Sequence, residues 1–306
     1  MKFVCYKEFD DPQEPVRPGL LYKNKTLPLG RVIAVAEAFH PRGLAVPEDW
    51  NALVARLPAF AEAVKELTQG KALDQVWPEV GVLPAAPVPR PNRILAIGRN
   101  YAEHAKEQDS DVPDEPIVFQ KASTSVIGPG QPIVIPPHIG RVDFEGELAV
   151  VIGRSGRNVP EAEALSLVAG YTLMNDVTAR DEQRRAFARS LPWFLSKSRD
   201  TFGPMGPCLV TADEIVDPHK LQLTTTVNGE VKQQAGTSEM IFSIPQLIAF
   251  LSRHMALEPG DVIPTGTPSG IGPLRPGDTV EMHIPEIGTL SNPVIGEEEW
   301  GGEEAE

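Results

Sequence analysis

From residue 94 onward the chain is cut into short apolar or alternating runs. These are RILAIG, PIVIPP, GELAVVIG, AGYTLMND, TTTVNGEVKQ, DVIPTGT and DTVEMHI, each bounded by Gly, Pro, Asn or Asp. Many short strands with few long helices between them point to a barrel or a folded sheet. Asn228-Gly229 is the strongest hairpin signal in the chain, because a type I′ turn needs positive φ at both central residues. Pro-Gly-Asp at 259–261 and again at 276–278 sets turns ahead of two further strands. One helix stands out, SIPQLIAFLSRHM: Ser243 caps it, Pro245 suits its first turn, and Leu247, Ile248, Leu251 and Met255 form a core-facing stripe. His254 on that helix has no nearby partner in sequence and is read as structural or surface.

The segment GVLPAAPVPRPNR, residues 81–93, carries Pro84, Pro87, Pro89 and Pro91 and reads as a stiff linker. It separates a small N-terminal domain, residues 1–80, from a larger C-terminal domain, residues 94–295. The N-terminal part has a β-like start and a helical candidate over residues 49–68 that Pro58 interrupts, and it offers no recognisable chemistry. Residues 296–306 read as an acidic, disordered tail, since the last eleven residues hold six glutamates and no cation. With 28 Lys and Arg against 42 Asp and Glu, the net charge of −14 argues against nucleic acid or an anionic membrane as partner. No apolar run approaches the roughly 18 residues of a bilayer span and no signal-like stretch opens the chain, so a cytoplasmic protein is expected. Cys5 and Cys208 lie far apart and read as reduced thiols.

Four constellations carry possible chemistry. In DFEGELAVVIG, Glu145 and Glu147 stand two residues apart, so a strand turns both carboxylates to one face. Unless exposed, such a pair needs a proton, a cation or hydrogen-bonding partners; read alone, it also fits a solvated strand face. In YTLMNDVTARD an apolar run ends at Asp176, where a strand end can project a functional carboxylate or simply begin a turn. Together Glu145, Glu147 and Asp176 make an all-oxygen site suited to Mg²⁺ or Mn²⁺ rather than Zn²⁺. Arg99, Lys121 and Lys197 are candidate cations around it. In GRNYAEHAKEQ, Asn100 and Glu103 resemble a helix start, which puts His104 and Glu107 on one helical face as a usable base pair; the polar QDSDVPDEP that follows suits a flap. In IPTGTPSGIG, a Gly-rich turn offers Thr265, Thr267 and Ser269 as donors without the lysine of a phosphate loop.

The order and spacing of GRNYAEHAKE, FQK, DFEGELAVVIG, NDVTARDEQ, LSKSRDTFGPMGP, VNGEVKQ, TSEMIFSIPQLI and PTGTPSGIG resembles the fumarylacetoacetate hydrolase family over residues 94 to about 294. The resemblance implies a predominantly β, α+β fold: a mixed β-sheet roll around a metal site, with a smaller N-terminal domain, usually as a homodimer. It implies metal ligands at Glu145, Glu147 and Asp176, a catalytic His104–Glu107 dyad with Lys197, and substrate contacts at Arg99, Lys121, Gln183 and Thr267. Arg199 departs from the Phe that many relatives carry and blurs the substrate inference. The expected activity is hydrolysis of an acylpyruvate-type carbon–carbon bond through a metal-stabilised enolate of a 2-oxo or 1,3-dioxo acid. The same enolate also serves an isomerase or decarboxylase of 2-hydroxyhepta-2,4-diene-1,7-dioate or oxaloacetate type in aromatic-acid catabolism, and, third, a dehydratase of 2-oxo sugar acids. A non-catalytic metabolite-binding module would bind metal without turning over any 2-oxo acid.

Overall fold

A computed structural model describes residues 1–8, 14–69, 72–108 and 110–300, so residues 301–306 of the expected acidic tail lie outside it. The described part of that tail, residues 296–300, ends the strand Gly288–Gly296 and turns once at Glu297–Glu299.

The architecture is mixed α and β, organised around an 11-stranded sheet. Its centre is Gly203–Thr211, Val168–Asn175, Gly146–Ile152, Val262–Pro264, Ile94–Gly98 and Ile117–Lys121, in that order. All seven residues of Gly146–Ile152 are buried, as expected of a strand covered on both faces. Its alternation divides the interior: Leu148, Val150 and Ile152 join one apolar core, whereas Ala149 and Val151 join a second. A 5-stranded sheet runs Glu230–Gly236, Gln222–Val227, Thr279–Ile284, Gly288–Gly296 and Ile133–Ile135. A 3-stranded sheet joins Thr178–Ala179, Val142–Phe144 and Gly272–Pro273. Asn228 and Gly229 both have positive φ, at 52° and 79°, as the hairpin requires.

The N-terminal residues share this framework. Lys2–Lys7 pairs antiparallel with Gly203–Thr211, Lys2 opposite Val210. The helices Leu29–Phe39 and Trp50–Gln69 bury Val32, Leu53, Leu57 and Phe60 in the core that also holds Ala149, Val151 and Met205. Pro58 does not interrupt the second helix as the sequence suggests. Pro58 itself is exposed, and the buried stripe Leu53, Leu57, Phe60, Val64 and Leu67 carries the helix past it. Ile244–His254 is capped as expected, with Ser243 Oγ accepting from the Gln246 amide. Among the described residues no helix is long and apolar enough to cross a membrane.

Candidate functional site

Strand register builds the acidic cluster. Gly146 lies opposite Asn175, so the chain entering one central strand passes the chain leaving its neighbour. There Asp176 N donates to Glu145 O at 2.8 Å, and Asn175 Oδ1 accepts from Glu145 N at 3.0 Å. One carboxylate oxygen from each of Glu145, Glu147 and Asp176 then falls within 4.8 Å of the others, and all three residues are buried. This juxtaposition joins a strand-entry Glu-x-Glu to a strand-end Asp.

Buried cations partly compensate this charge. Lys197 Nζ donates to Glu145 Oε2 at 2.7 Å and to Asp176 Oδ2 at 2.5 Å. Arg180 donates through Nε to Asp143 Oδ2 at 2.8 Å and through a second nitrogen to Glu145 Oε1. Lys121 Nζ lies 2.8 Å from Asp176 Oδ1 but outside hydrogen-bond geometry, leaving that oxygen with no hydrogen bond. Burial resists ionisation of Glu145, yet Lys197 and Arg180 hold it well below the usual carboxylate range. Burial opposes the charge on Lys197, and Asp176 and Glu145 more than restore it. Glu147 goes the other way: burial, then the charges of Asp176 and Glu145, push it well up, against the Lys197 charge and one amide donor, Gly266 N at 2.8 Å. A buried oxygen met only by the Lys121 ammonium and a carboxyl whose pKa its acidic neighbours push up mark a cluster that would accept further positive charge. Its hard, all-oxygen donors fit a divalent cation such as Mg²⁺ or Mn²⁺.

The short helix Ala102–Glu107 puts His104 Nδ1 3.3 Å from Glu107 Oε2. Asn100 does not cap this helix as its position suggests. Its buried amide instead bridges Phe242 and Thr265, through Nδ2 to both carbonyls and Oδ1 to Phe242 N. Glu107 also accepts from Gly270 N at 3.1 Å, which ties the helix to the Gly-rich loop. Burial would raise the Glu107 pKa, but the bond to His104 and the Gly270 amide lower it.

Glu145, Glu147, Asp176, His104, Glu107 and Lys197 all face one cavity of about 370 Å³. Gln183 and Thr267 face it too, and Arg99, Phe187 and Trp193 form its outer wall. Arg99 has a left-handed φ of 55°, and its guanidinium carbon lies 5.7 Å from the Phe187 ring centroid and 5.9 Å from that of Trp193. Lys121 corrects the sequence expectation of a substrate contact: it is wholly buried behind Asp176, bound to the Lys197 carbonyl, and is not part of the cavity wall. Arg199 pairs with Glu182 at 2.6 Å. Sequence reasoning missed Arg180 and Asp143. Arg180 opens a helix, Arg180–Ala188, with no apolar stripe to announce it. The one available signal was that both belong to the DFEGE and TARDEQ segments that supply the acids.

Residues 93–295 match the family described as Fumarylacetoacetate (FAA) hydrolase C-terminal. A mitochondrial oxaloacetate tautomerase of Homo sapiens is 44% identical over 227 residues, 72% of this chain and 72% of its own length. The structure of 5-carboxymethyl-2-hydroxymuconate delta-isomerase from Mycobacterium smegmatis superposes with a TM-score of 0.72 at 34% identity, covering 97% of this chain and 99% of that one. Maleylpyruvate hydrolase from Sphingobium sp. SYK-6, solved with manganese(II) and pyruvate, gives a TM-score of 0.75 at 28% identity over 97% and 99% of the two chains.

Proposed function

The chain belongs to the fumarylacetoacetate hydrolase family, and from that premise we propose that it is a divalent-metal-dependent enzyme of 2-oxo and 1,3-dioxo acids that hydrolyses an acylpyruvate-type carbon–carbon bond. One observation carries this reading: the buried acid triad and the His104–Glu107 pair open onto the same cavity. Glu145, Glu147 and Asp176 would hold Mg²⁺ or Mn²⁺, which when bound supplies Lewis-acid polarisation of a substrate carbonyl. With Glu107 accepting from His104 Nδ1, the Nε2 atom is free to take a proton from water. The hydroxide so formed adds to the carbonyl carbon remote from the 2-oxo acid. The carbon–carbon bond breaks, and its electron pair passes to the departing enolate, which ends as the 2-oxo acid after taking up a proton. Lys197, held as an ammonium, is placed to offset the developing negative charge.

Arg99 bears on the substrate. Among the described residues no carboxylate pairs with it, and burial against the aromatic wall works against its charge. A second carboxylate on the substrate would supply the missing partner. A second reading, isomerisation or tautomerisation, is favoured by the oxaloacetate tautomerase and the muconate isomerase among the relatives. There His104 would shuttle a proton between substrate atoms, and no water would be consumed.

The test is turnover of acetylpyruvate, fumarylpyruvate, oxaloacetate and a hydroxymuconate-type diacid, with Mg²⁺ or Mn²⁺ and after metal stripping. Hydrolysis places ¹⁸O from labelled water in the released acid; isomerisation gives a product of unchanged mass. His104→Ala is expected to lower kcat by about 100- to 10,000-fold with Mn²⁺ affinity unchanged. Turnover at the parental rate by that variant would remove His104 from the reaction.

A further inference from the structure

The hairpin that reads from sequence as purely structural also delivers a side chain to the site. Gln233, on Glu230–Gly236, is almost wholly buried, and its carboxamide is fully engaged. Oε1 accepts from Gly146 N at 3.0 Å, while Nε2 donates to Thr267 Oγ1 and to Pro268 O, each at 2.8 Å. The first contact is on the peptide between Glu145 and Glu147; the other two are in the middle of the Gly-rich loop. That loop holds Glu147 at one end, through Gly266 N, and Glu107 at the other, through Gly270 N. Thr267 Oγ1 completes the link by donating to Gly146 O at 2.9 Å.

Two glycines leave room for this clamp. A Cβ on Gly146 would strike Thr225 Oγ1 and lie 3.1 Å from Gln233 Oε1. Gly270, at φ +97°, lies so close to the Lys232 carbonyl that a side chain there would collide with it. The hairpin strand therefore meets the loop at two successive residues, Lys232 by backbone contact and Gln233 by its amide.

We propose that Gln233 is a positioning residue that fastens residues 266–270 to the Glu145–Glu147 turn, and so fixes the acid triad and the His104–Glu107 pair in one mutual register. It touches neither substrate nor the reacting atoms. The coupling itself stands on the hydrogen bonds above; only its consequence for catalysis rests on the proposed metal-dependent function.

Hydrogen exchange on the metal-free full-length protein, with and without Gln233→Leu, tests the coupling. Backbone amides of residues 102–108 and 266–271 are expected to exchange about tenfold faster or more in the variant, with residues 2–7 and 94–98 unchanged. Mn²⁺ affinity, measured by calorimetry, is expected to fall about 10- to 100-fold. Wild-type exchange at residues 102–108 in Gln233→Leu would overturn the inference, even if its melting temperature falls. If Gln233→Leu does not fold, Gln233→Glu replaces it. That variant keeps the acceptor for Gly146 N and loses both donors to the loop, so residues 266–271 should still loosen; wild-type exchange there overturns the inference equally. Should the wild-type protein bind no Mn²⁺, the metal reading fails and the exchange result still decides the role of Gln233.

Discussion

The floor and the mouth of the cavity are built on different terms. At the floor, Glu145, Glu147, Asp176, Arg180 and Lys197 are nearly inaccessible to solvent; the three acids sit in or beside two central strands of the large sheet, and the two cations reach them from short helices. Neighbouring charges act on one another there: Lys197 and Arg180 hold Glu145 down, and Asp176 and Glu145 push Glu147 up. At the mouth, Arg99 leans on Phe187 and Trp193, Phe187 is 60% exposed, and Gln183 and Arg184 project from one short helix. These side chains meet one another through ring contacts and the single hydrogen bond of Gln183 to Arg180, with none of the buried ion pairs of the floor. The difference teaches that the reaction is tied to the fold, whereas substrate choice depends on parts that can change at little cost to stability.

The largest expected effects come from the floor, and they divide two chemically similar acids. Glu145→Gln and Glu147→Gln are each expected to weaken Mn²⁺ binding by more than about 100-fold, beyond the loss typical of an outer-shell partner. Their effects on the metal-free protein should have opposite signs. Glu145 is held ionised by Lys197 and Arg180, so Glu145→Gln leaves those buried cations poorly matched and destabilises by about 3 kcal/mol. Glu147 is pushed up by burial and by its acidic neighbours, so Glu147→Gln relieves a group that resists ionising. Its folded pKa exceeds the ordinary glutamate value of about 4.3. Its contribution is therefore complete below that pH and declines as pH rises toward the raised folded value. Melting curves of the metal-free protein should show this decline in the wild type and its absence in Glu147→Gln. Equal melting shifts for the two variants would break the contrast drawn within the floor.

The three floor acids were readable because two at a strand entry and one at a strand end interrupt otherwise apolar runs. The central strands were readable from the apolar runs at residues 148–152 and 168–174, the second broken only by Thr172. The pairing of Lys2–Lys7 with Gly203–Thr211 was not, since no local pattern reports a partner about two hundred residues away. Arg180 and Asp143 were passed over because charged residues among other charged residues carry no contrast. Lys121 was assigned to the wrong side of Asp176, because sequence spacing gives proximity along the chain and not the side from which a side chain approaches. Gln233 was hidden in a strand whose first three residues are exposed.

At the mouth, a smaller and more selective effect is expected. Arg99→Met should raise KM about tenfold for oxaloacetate or fumarylpyruvate, the loss of one charge-assisted contact, while leaving acetylpyruvate, which has a single carboxylate, unaffected. Because no carboxylate among the described residues pairs with Arg99, its loss strands no charge and the melting temperature should hardly move. Equal losses on mono- and diacids would show that Arg99 shapes the wall instead of reading charge, and would blur the division between floor and mouth.

The smallest effect is expected at Arg199, where the family resemblance leads us to expect Phe. Its pair with Glu182 joins the segment after Lys197 to the helix that carries Arg180, Gln183 and Phe187, so it spans floor and mouth. Both partners are about one third exposed, and ion pairs in such settings contribute about 0–1 kcal/mol. Arg199→Phe should therefore shift the melting temperature by no more than a few degrees and leave Mn²⁺ affinity intact. Any kinetic change should fall on KM, because the helix it releases lines the mouth while Lys197 stays fixed by Glu145 and Asp176. A fall in kcat at constant KM would mean that the pair reaches the floor through the chain at Lys197, and that the two halves of the cavity are mechanically one.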